Sequence, residues 1–284
     1  MHGSVFVGSS VNPETNSVAK ALAHEVWELP SEPSLLIEFL EKLPFCWVQT
    51  MNGEMSYTWL SRSPMVLSQG TDLSFPELGL TLSNEEVERV LVHRHPVHAG
   101  VIRLSLTSSC RSEQFVVNAP VWAHEAIAEL SLRVVDTYPH GDAPGGIKRI
   151  ERKLCACCRE TRRKLRSQGE RHPLYHLLSF ASARDLALRV DVDGSMFRFG
   201  TSLCPLKWAQ EKARLVMRAS RATFSLDLSE VFRAVARMDV IDESRVTLID
   251  CYHSHGEHLL SLSQEGDELF EVWRAMAKRA GVEE

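Results

Sequence analysis

The chain has 284 residues, a formal net charge of −5, 44% hydrophobic residues and 24% charged ones. This is ordinary globular composition, sufficient for one large domain or two of usual size. It excludes a general attraction to nucleic acid or anionic membrane, and no apolar run reaches the roughly 18 residues of a membrane-spanning helix. The N-terminus, Met1-His2-Gly3-Ser4-Val5, lacks a basic region leading into a long apolar one, so no signal peptide is expected. The seven scattered cysteines imply reduced thiols and a cytoplasmic chain rather than a disulfide framework.

Residues 1–32 read as an N-terminal leader. A first unit, 33–133, opens on a helix with Leu35, Leu36, Phe39 and Leu40 at one-face spacing. Two strands follow around Met51-Asn52-Gly53-Glu54, because Asn-Gly favours tight hairpin turns. Further strands are expected at 78–82, 87–93, 101–106 and 114–117, and a closing helix at 121–132. A second unit, 173–284, repeats the plan. Leu174, Leu177, Leu178 and Ala181 give the helix, and Val192-Asp193-Gly194-Ser195 the turn. Strands are expected at 222–228, where Phe224, Leu226 and Leu228 alternate, and at 231–237, 245–251 and 258–262. A helix at 267–280 closes the unit.

The two units align as an internal repeat. Leu82, Glu86, Val87 and Arg89 meet Leu226, Glu230, Val231 and Arg233 at an offset of 144. The same offset carries Glu113-Gln114-Phe115-Val116 onto Glu257-His258-Leu259-Leu260, and upstream an offset of 141 carries Asn52-Gly53 onto Asp193-Gly194. The expected fold is α+β: a tandem duplication of an antiparallel-sheet unit with flanking helices, the halves packed together. Two independent domains on a flexible tether are the alternative.

Between the units, 134–172 forms a connector, with a helix expected over 147–166. Ile147, Ile150, Leu154, Cys158 and Leu165 supply an apolar stripe. Lys148, Arg149, Arg152, Lys153, Arg159, Arg162, Arg163, Lys164 and Arg166 crowd its other faces. Such a helix is either a solvated basic face or a site for anions. No aromatic residue lies between Ile147 and Pro173 to stack bases, so nucleic acid is not an expected partner.

Walker, Gly-x-Gly-x-x-Gly, Gly-x-Ser-x-Gly and His-Glu-x-x-His signatures are missing, which disfavours P-loop, nucleophilic-hydrolase and zincin chemistry. Cys155-Ala156-Cys157-Cys158 has no second pair beside it and reads as buried or half-buried thiols packing the connector helix. His93, His95 and His98, and His253, His255 and His258, form two clusters at turns. Either cluster has alternating positions that suit a divalent metal, but exposed turn histidines are the plainer reading.

Several segments resemble bacterial haem-utilisation proteins of the HemS/HmuS (hemin-degrading factor) family. These include the hairpin Val190-Asp191-Val192-Asp193-Gly194, the strand Phe197-Arg198-Phe199-Gly200-Thr201 with Lys207 behind it, and Phe224-Ser225-Leu226-Asp227-Leu228. Val246-Thr247-Leu248-Ile249-Asp250, the closing Trp273-Arg274 and, in the first unit, Val92-His93-Arg94-His95-Pro96 complete the likeness. The resemblance implies two HemS-like repeats with a ligand cleft between the halves, and haem as cofactor. It further implies a place in haem uptake and iron acquisition, with haem passed on or degraded oxidatively. Haem-import machinery or a haem-accepting enzyme would be the partner.

Members carry Asp-Thr-His after the first repeat, its histidine an axial haem ligand. This chain has Asp136-Thr137-Tyr138-Pro139-His140, so Tyr138 or His140 takes that role by resemblance. A second family segment, Asp-Leu-Arg-x-Phe, appears as Asp72-Leu73-Ser74-Phe75, without the arginine. Lys207, Arg159 and Arg162 are the expected contacts for haem propionates. The alternative function is a non-enzymatic interaction or regulatory module that kept the fold and lost haem.

Overall fold

The computed structural model describes residues 25–52, 54–62, 64–94, 101–108, 113–120, 123–139, 154–209 and 213–279. The first half starts with β1 (Glu25–Leu29), a strand inside the expected leader, followed by helix α1 (Pro33–Glu41). Pro33 occupies the first turn of α1, where its missing N–H costs nothing, and Leu35, Leu36, Phe39 and Leu40 are buried as one stripe. The hairpin β2 (Phe45–Met51) and β3 (Met55–Arg62) pairs Met51 with Ser56, and the Asn52 N–H donates to the Met55 carbonyl at 3.2 Å; Gly53 lies outside the described residues. Then come β4 (Leu67–Gln69), β5 (Asp72–Phe75), β6 (Leu80–Ser83), β7 (Arg89–Arg94), β8 (Val101–Thr107), β9 (Gln114–Pro120) and helix α2 (His124–Ser131).

The connector contributes the short strand β10 (Asp136–Pro139) and helix α3 (Ala156–Ser167). The second half runs α4 (Pro173–Ala183), β11 (Leu188–Asp193), β12 (Phe197–Ala209), β13 (Arg214–Arg218) and β14 (Ala222–Asp227). It ends with β15 (Arg233–Ile241), β16 (Ser244–Tyr252), β17 (His258–Glu265) and α5 (Glu268–Arg279). A single 3-10 turn precedes the last three strands in both halves, at Asn84–Glu86 and at Leu228–Glu230. These turns lie at the same offset as the aligned apolar residues.

Two expectations change in detail. The strand expected at 78–82 begins at Leu80, because Pro76–Leu78 makes a 3-10 turn and Gly79 turns the chain with φ 58. The helix expected over 147–166 begins at Ala156, and Leu154 is buried ahead of it. Residues 147–153 lie outside the described residues.

The strands form one antiparallel hydrogen-bonded network that β12 divides into two sheets. One sheet runs β10-β1-β7-β8-β9-β2-β3 and continues through β14 and β13 into the end of β12. The other runs β4-β5-β6, then the start of β12, then β11-β17-β16-β15. Each half therefore gives strands to the other's sheet. Strand β14 of the second half pairs with β3 of the first, Phe224 opposite Tyr57; β6 of the first pairs with β12 of the second, Leu82 opposite Phe197.

The packing follows the pairing. Tyr57 and Phe199 stack across the halves with ring centroids 4.5 Å apart, and Phe199 meets Phe224 edge-on at 6.0 Å. Burial pushes the Tyr57 hydroxyl up to about 12. The buried carboxylate of Glu113, in the first half, accepts hydrogen bonds from the Met196 N–H at 2.7 Å, the Ser195 hydroxyl at 3.1 Å and the Ser195 N–H at 3.2 Å. It thereby satisfies the turn of the second half's hairpin. Helix α4 is capped by buried His172, whose Nδ1 accepts from the Leu174 N–H at 3.1 Å while Nε2–H donates to the Val231 carbonyl at 2.8 Å. Burial lowers the His172 pKa, which keeps this neutral, capping form.

At the crossing of the halves the Gly200 N–H donates to the Gly79 carbonyl at 2.9 Å, and a Cβ on Gly79 would drive into the Gly200 carbonyl. Gly70 also has positive φ, but its Cβ would meet nothing within 4 Å. Gly70→Ala should therefore cost only the left-handed penalty of roughly 1–2 kcal/mol. Gly79→Ala should cost clearly more, since the collision adds to the same penalty. Urea denaturation of the two variants compares them directly; equal losses would contradict the close crossing.

Candidate functional site

Tyr138 lies on the edge strand β10, opposite Val26 of β1, and Glu28 of β1 is opposite Asp136. In an antiparallel pair such diagonal neighbours share a face. The Tyr138 hydroxyl donates to Glu28 Oε2 at 2.6 Å, and Asp136 accepts from the Thr137 N–H at 2.8 Å. The phenol is half-buried. The hydrogen bond to Glu28, and next that to Asp136, raise its pKa, since both carboxylates disfavour a neighbouring phenolate. Tyr138 is thus a neutral phenol that donates its hydroxyl to the Glu28 carboxylate.

The other residues named for haem are distributed differently. His140 lies outside the described residues. Lys207 belongs to β12, opposite Val216 of β13. Arg159 is exposed on α3, and Arg163 and Lys164 pair with Glu160 on the same helix.

Arg162 is turned inward. Its guanidinium pairs with Glu230, whose side chain is 2% exposed against 25% for the arginine. Arg166, one turn on, approaches Glu230 at 3.5 Å and Asp227 at 4.0 Å, and its Nε donates to the Ser229 hydroxyl at 3.3 Å. Asp227 in turn accepts from the Ser229 N–H at 2.9 Å and hydroxyl at 2.6 Å. His253, 3% exposed, reaches Glu230 with Nε2 at 3.4 Å, and its Nδ1 is 3.0 Å from the Ser254 hydroxyl. Burial alone would raise the Glu230 pKa, but the hydrogen bond with His253 and the Arg162 charge outweigh it, leaving the carboxyl below its usual range.

This buried network was not anticipated. Glu230 follows Leu226 and Leu228 at even spacing and aligns with Glu86 of the first half, but nothing in that pattern says it is buried and charged. The histidine reading needs correcting as well. His253 was expected as an exposed turn residue. It is buried instead, because the turn before β17 folds back over the 3-10 turn and Glu230 supplies a partner. His255 stacks on it at 5.6 Å and is exposed, and His258 is exposed within 3.0 Å of the Ser261 hydroxyl. In the first cluster His93 Nε2 lies 3.0 Å from the Ser105 hydroxyl, while His95 and His98 fall outside the described residues. Glu54, Glu230 and His253 hold donor atoms within 4.8 Å of one another, but Arg162 already brings a cation to that spot.

The thiols also depart from expectation. Cys155 and Cys157 are exposed and Cys158 half-buried, rather than packed under the helix. The cause is the later start of α3. Cys155 becomes its N-cap, outside the apolar stripe, and its Sγ accepts from the Cys158 N–H at 3.3 Å.

Comparison with known proteins finds likeness in structure alone. No family model matches the chain, and no curated protein matches it in sequence. Among solved structures, PhuS, a haem-binding protein from Pseudomonas aeruginosa, is similar in its haem-free form with a TM-score of 0.60 and 13% identity, over 89% of this chain and 85% of that one. Its haem-bound form gives 0.61 and 13%, over 88% and 84%. ChuS, an Escherichia coli haem oxygenase, gives 0.59 and 14%, over 90% and 88%. The resemblance first read from scattered motifs is therefore met at the level of fold, along nearly the whole chain.

The ion pair generates a test. Arg162→Met strands a buried carboxylate and should destabilise the chain by roughly 3 kcal/mol, and adding Glu230→Gln should restore much of that loss. Glu230 has a lowered folded pKa, so its contribution is present above the unfolded carboxylate value near pH 4.3. It is lost as pH falls through the folded value, and Glu230→Gln should flatten that part of the pH–stability curve. Thermal melts between pH 3 and 7 read both effects.

Proposed function

We propose that this chain is a haem-binding protein of the cytosol, serving haem uptake and iron acquisition. It is read as a tandem duplication that holds haem in a cleft between its halves. The observation that carries the reading is the shared fold with PhuS and ChuS over nearly nine-tenths of the chain. Motif likeness at the hairpins and the β10 segment supports it independently of the fold match.

The donor set fits ferric haem at one point in particular. Phenol oxygen is a known axial ligand type for haem iron, and Tyr138 sits where the family's axial residue aligns. Its hydroxyl donates to Glu28 at 2.6 Å, so Glu28 would orient the phenol toward a bound haem and would be the nearest carboxylate able to receive its proton. His140 is the imidazole alternative in the same segment. Arg159, Arg162 and Lys207 are the proposed propionate contacts; Arg162 also pairs with Glu230 and so ties α3 to the second half.

Bound haem supplies its own redox and oxygen chemistry, so ring opening needs no protein nucleophile. The chain's residues bind, orient and shield it, and either hand it to a haem-accepting partner or retain it for degradation.

Hemin titration of the purified chain should give a shifted, saturable Soret band near one equivalent. The joint substitution Tyr138→Phe with His140→Ala should abolish the ligand-specific spectrum, while Glu28→Gln should shift the pH at which a phenolate spectrum develops. A titration without saturation at micromolar hemin would remove the proposal. It would favour a non-enzymatic interaction module, a reading to which the neutral, carboxylate-bound phenol also lends itself.

A further inference from the structure

The three thiols at the start of α3 take no part in the haem reading. Their Sγ atoms all lie within 4.8 Å of one another, and those of Cys155 and Cys157 are 2.7 Å apart. Cys155 is exposed at the N-cap of a 12-residue helix, its sulfur facing the Cys158 N–H at 3.3 Å. Backbone N–H groups and the positive end of the helix dipole stabilise a thiolate at that place. The environments of the thiols then diverge. Hydrogen bonds from Cys157 first, and from the Cys158 N–H next, bring the Cys155 thiol down to about 7. The hydrogen bond to Cys155, with burial second, pushes Cys158 up to about 11. By contrast, burial alone raises Cys46 to about 12.

This asymmetry is the arrangement a thiol–disulfide exchange site requires: one exposed sulfur ready to attack, and a second, more protected one held beside it. Spacing selects the partner. Residues three apart on a first helical turn lie on one face, with Cα atoms roughly 5 Å apart, inside the range a disulfide spans. Cys157, two positions from Cys155, would close a tighter ring that disrupts the start of the helix; its place is that of a hydrogen-bond donor to the Cys155 sulfur.

We propose that Cys155 and Cys158 form a redox-active dithiol that exchanges with low-molecular-weight disulfides of the glutathione type. The Cys155 thiolate attacks one sulfur of the disulfide, forming a mixed disulfide and releasing one thiolate, which takes up a proton. Cys158 then loses its proton and attacks the Cys155 sulfur, closing the Cys155–Cys158 bond and releasing the second thiol. Two electrons pass from the protein dithiol to the small disulfide, which becomes two thiols. The proposal is independent of haem binding.

The test uses the full chain in buffers of stepped glutathione to glutathione-disulfide ratio, followed by acid quench, alkylation and mass mapping. Trypsin cuts after Lys153 and Arg159, so the three thiols share one peptide. The expected oxidised form has a Cys155–Cys158 bond with Cys157 alkylated. Cys158→Ser should accumulate a glutathione adduct on Cys155, Cys157→Ser should still form the bond, and Cys155→Ser should abolish bond and adduct. At pH 7 Cys155 should alkylate much faster than Cys158, because far more of it is thiolate. Three thiols alkylated alike at every ratio, a bond through Cys157, or a metal ion retained with all three protected would each overturn the proposal. The unsubstituted chain alone decides between these outcomes should a variant fail to fold.

Discussion

The pairing of β6 with β12 and of β14 with β3 is the constraint on which the rest of the structure depends. Strand β12 runs for 13 residues, its start hydrogen-bonded in one sheet and its end in the other. Neither half can complete its own sheet. Separated, each would expose open strand edges, with the liability to aggregation that such edges carry. The cross-half contacts are consequences of this exchange: the Tyr57–Phe199 stack, the Glu113 carboxylate under the Ser195 turn, and the Gly79–Gly200 crossing, where a Cβ on Gly79 has no room. A shared core follows, and with it the rigid edge on which β1 and β10 display Tyr138.

The connector is tied to this body by charge. Glu230 is buried by the 3-10 turn at Leu228–Glu230, and a buried carboxylate is tolerable only with partners. His253 provides one and Arg162 of α3 another, so the basic helix is docked rather than wholly solvated. Docking orients the remaining basic residues, Arg159 and Arg163 among them, outward, and it sets the cysteine-bearing first turn at the surface. The same electrostatic need thus leaves both the basic face and the three thiols of α3 at the surface.

Much of this was legible beforehand, for physical reasons that can be named. Helices α1 and α4 and the hairpins at Asn52 and Asp193 rest on short-range signals, one-face apolar spacing and turn-forming pairs, that tertiary context did not override. The 144-residue offset places both 3-10 turns as well as the apolar residues in register. The misses share a cause too. Strands β1 and β10 are short and hold their place through pairing with distant strands, which leaves little local pattern. The start of α3 turns on Cys155 acting as cap, which an apolar stripe beginning at Ile147 conceals. The burial of His253 depends on Glu230, 23 residues earlier in the chain, and no periodicity links the two. At the candidate haem site the sequence pointed to Tyr138 through resemblance, whereas its carboxylate partner Glu28 lies 110 residues away and emerges only from β1–β10 pairing.

The central claim is that the two halves are one folded body, joined strand to strand, and that the Tyr138 edge and the docked connector depend on that union. Native-state hydrogen exchange of the intact chain, read peptide by peptide, addresses it most directly. The account predicts that amides in β3, β6, β12 and β14 exchange only through global unfolding, with the same free energy in strands of both halves. Protection persisting in β7, β8 and β9 while β15, β16 and β17 exchange at a markedly lower free energy, or the reverse, would contradict it.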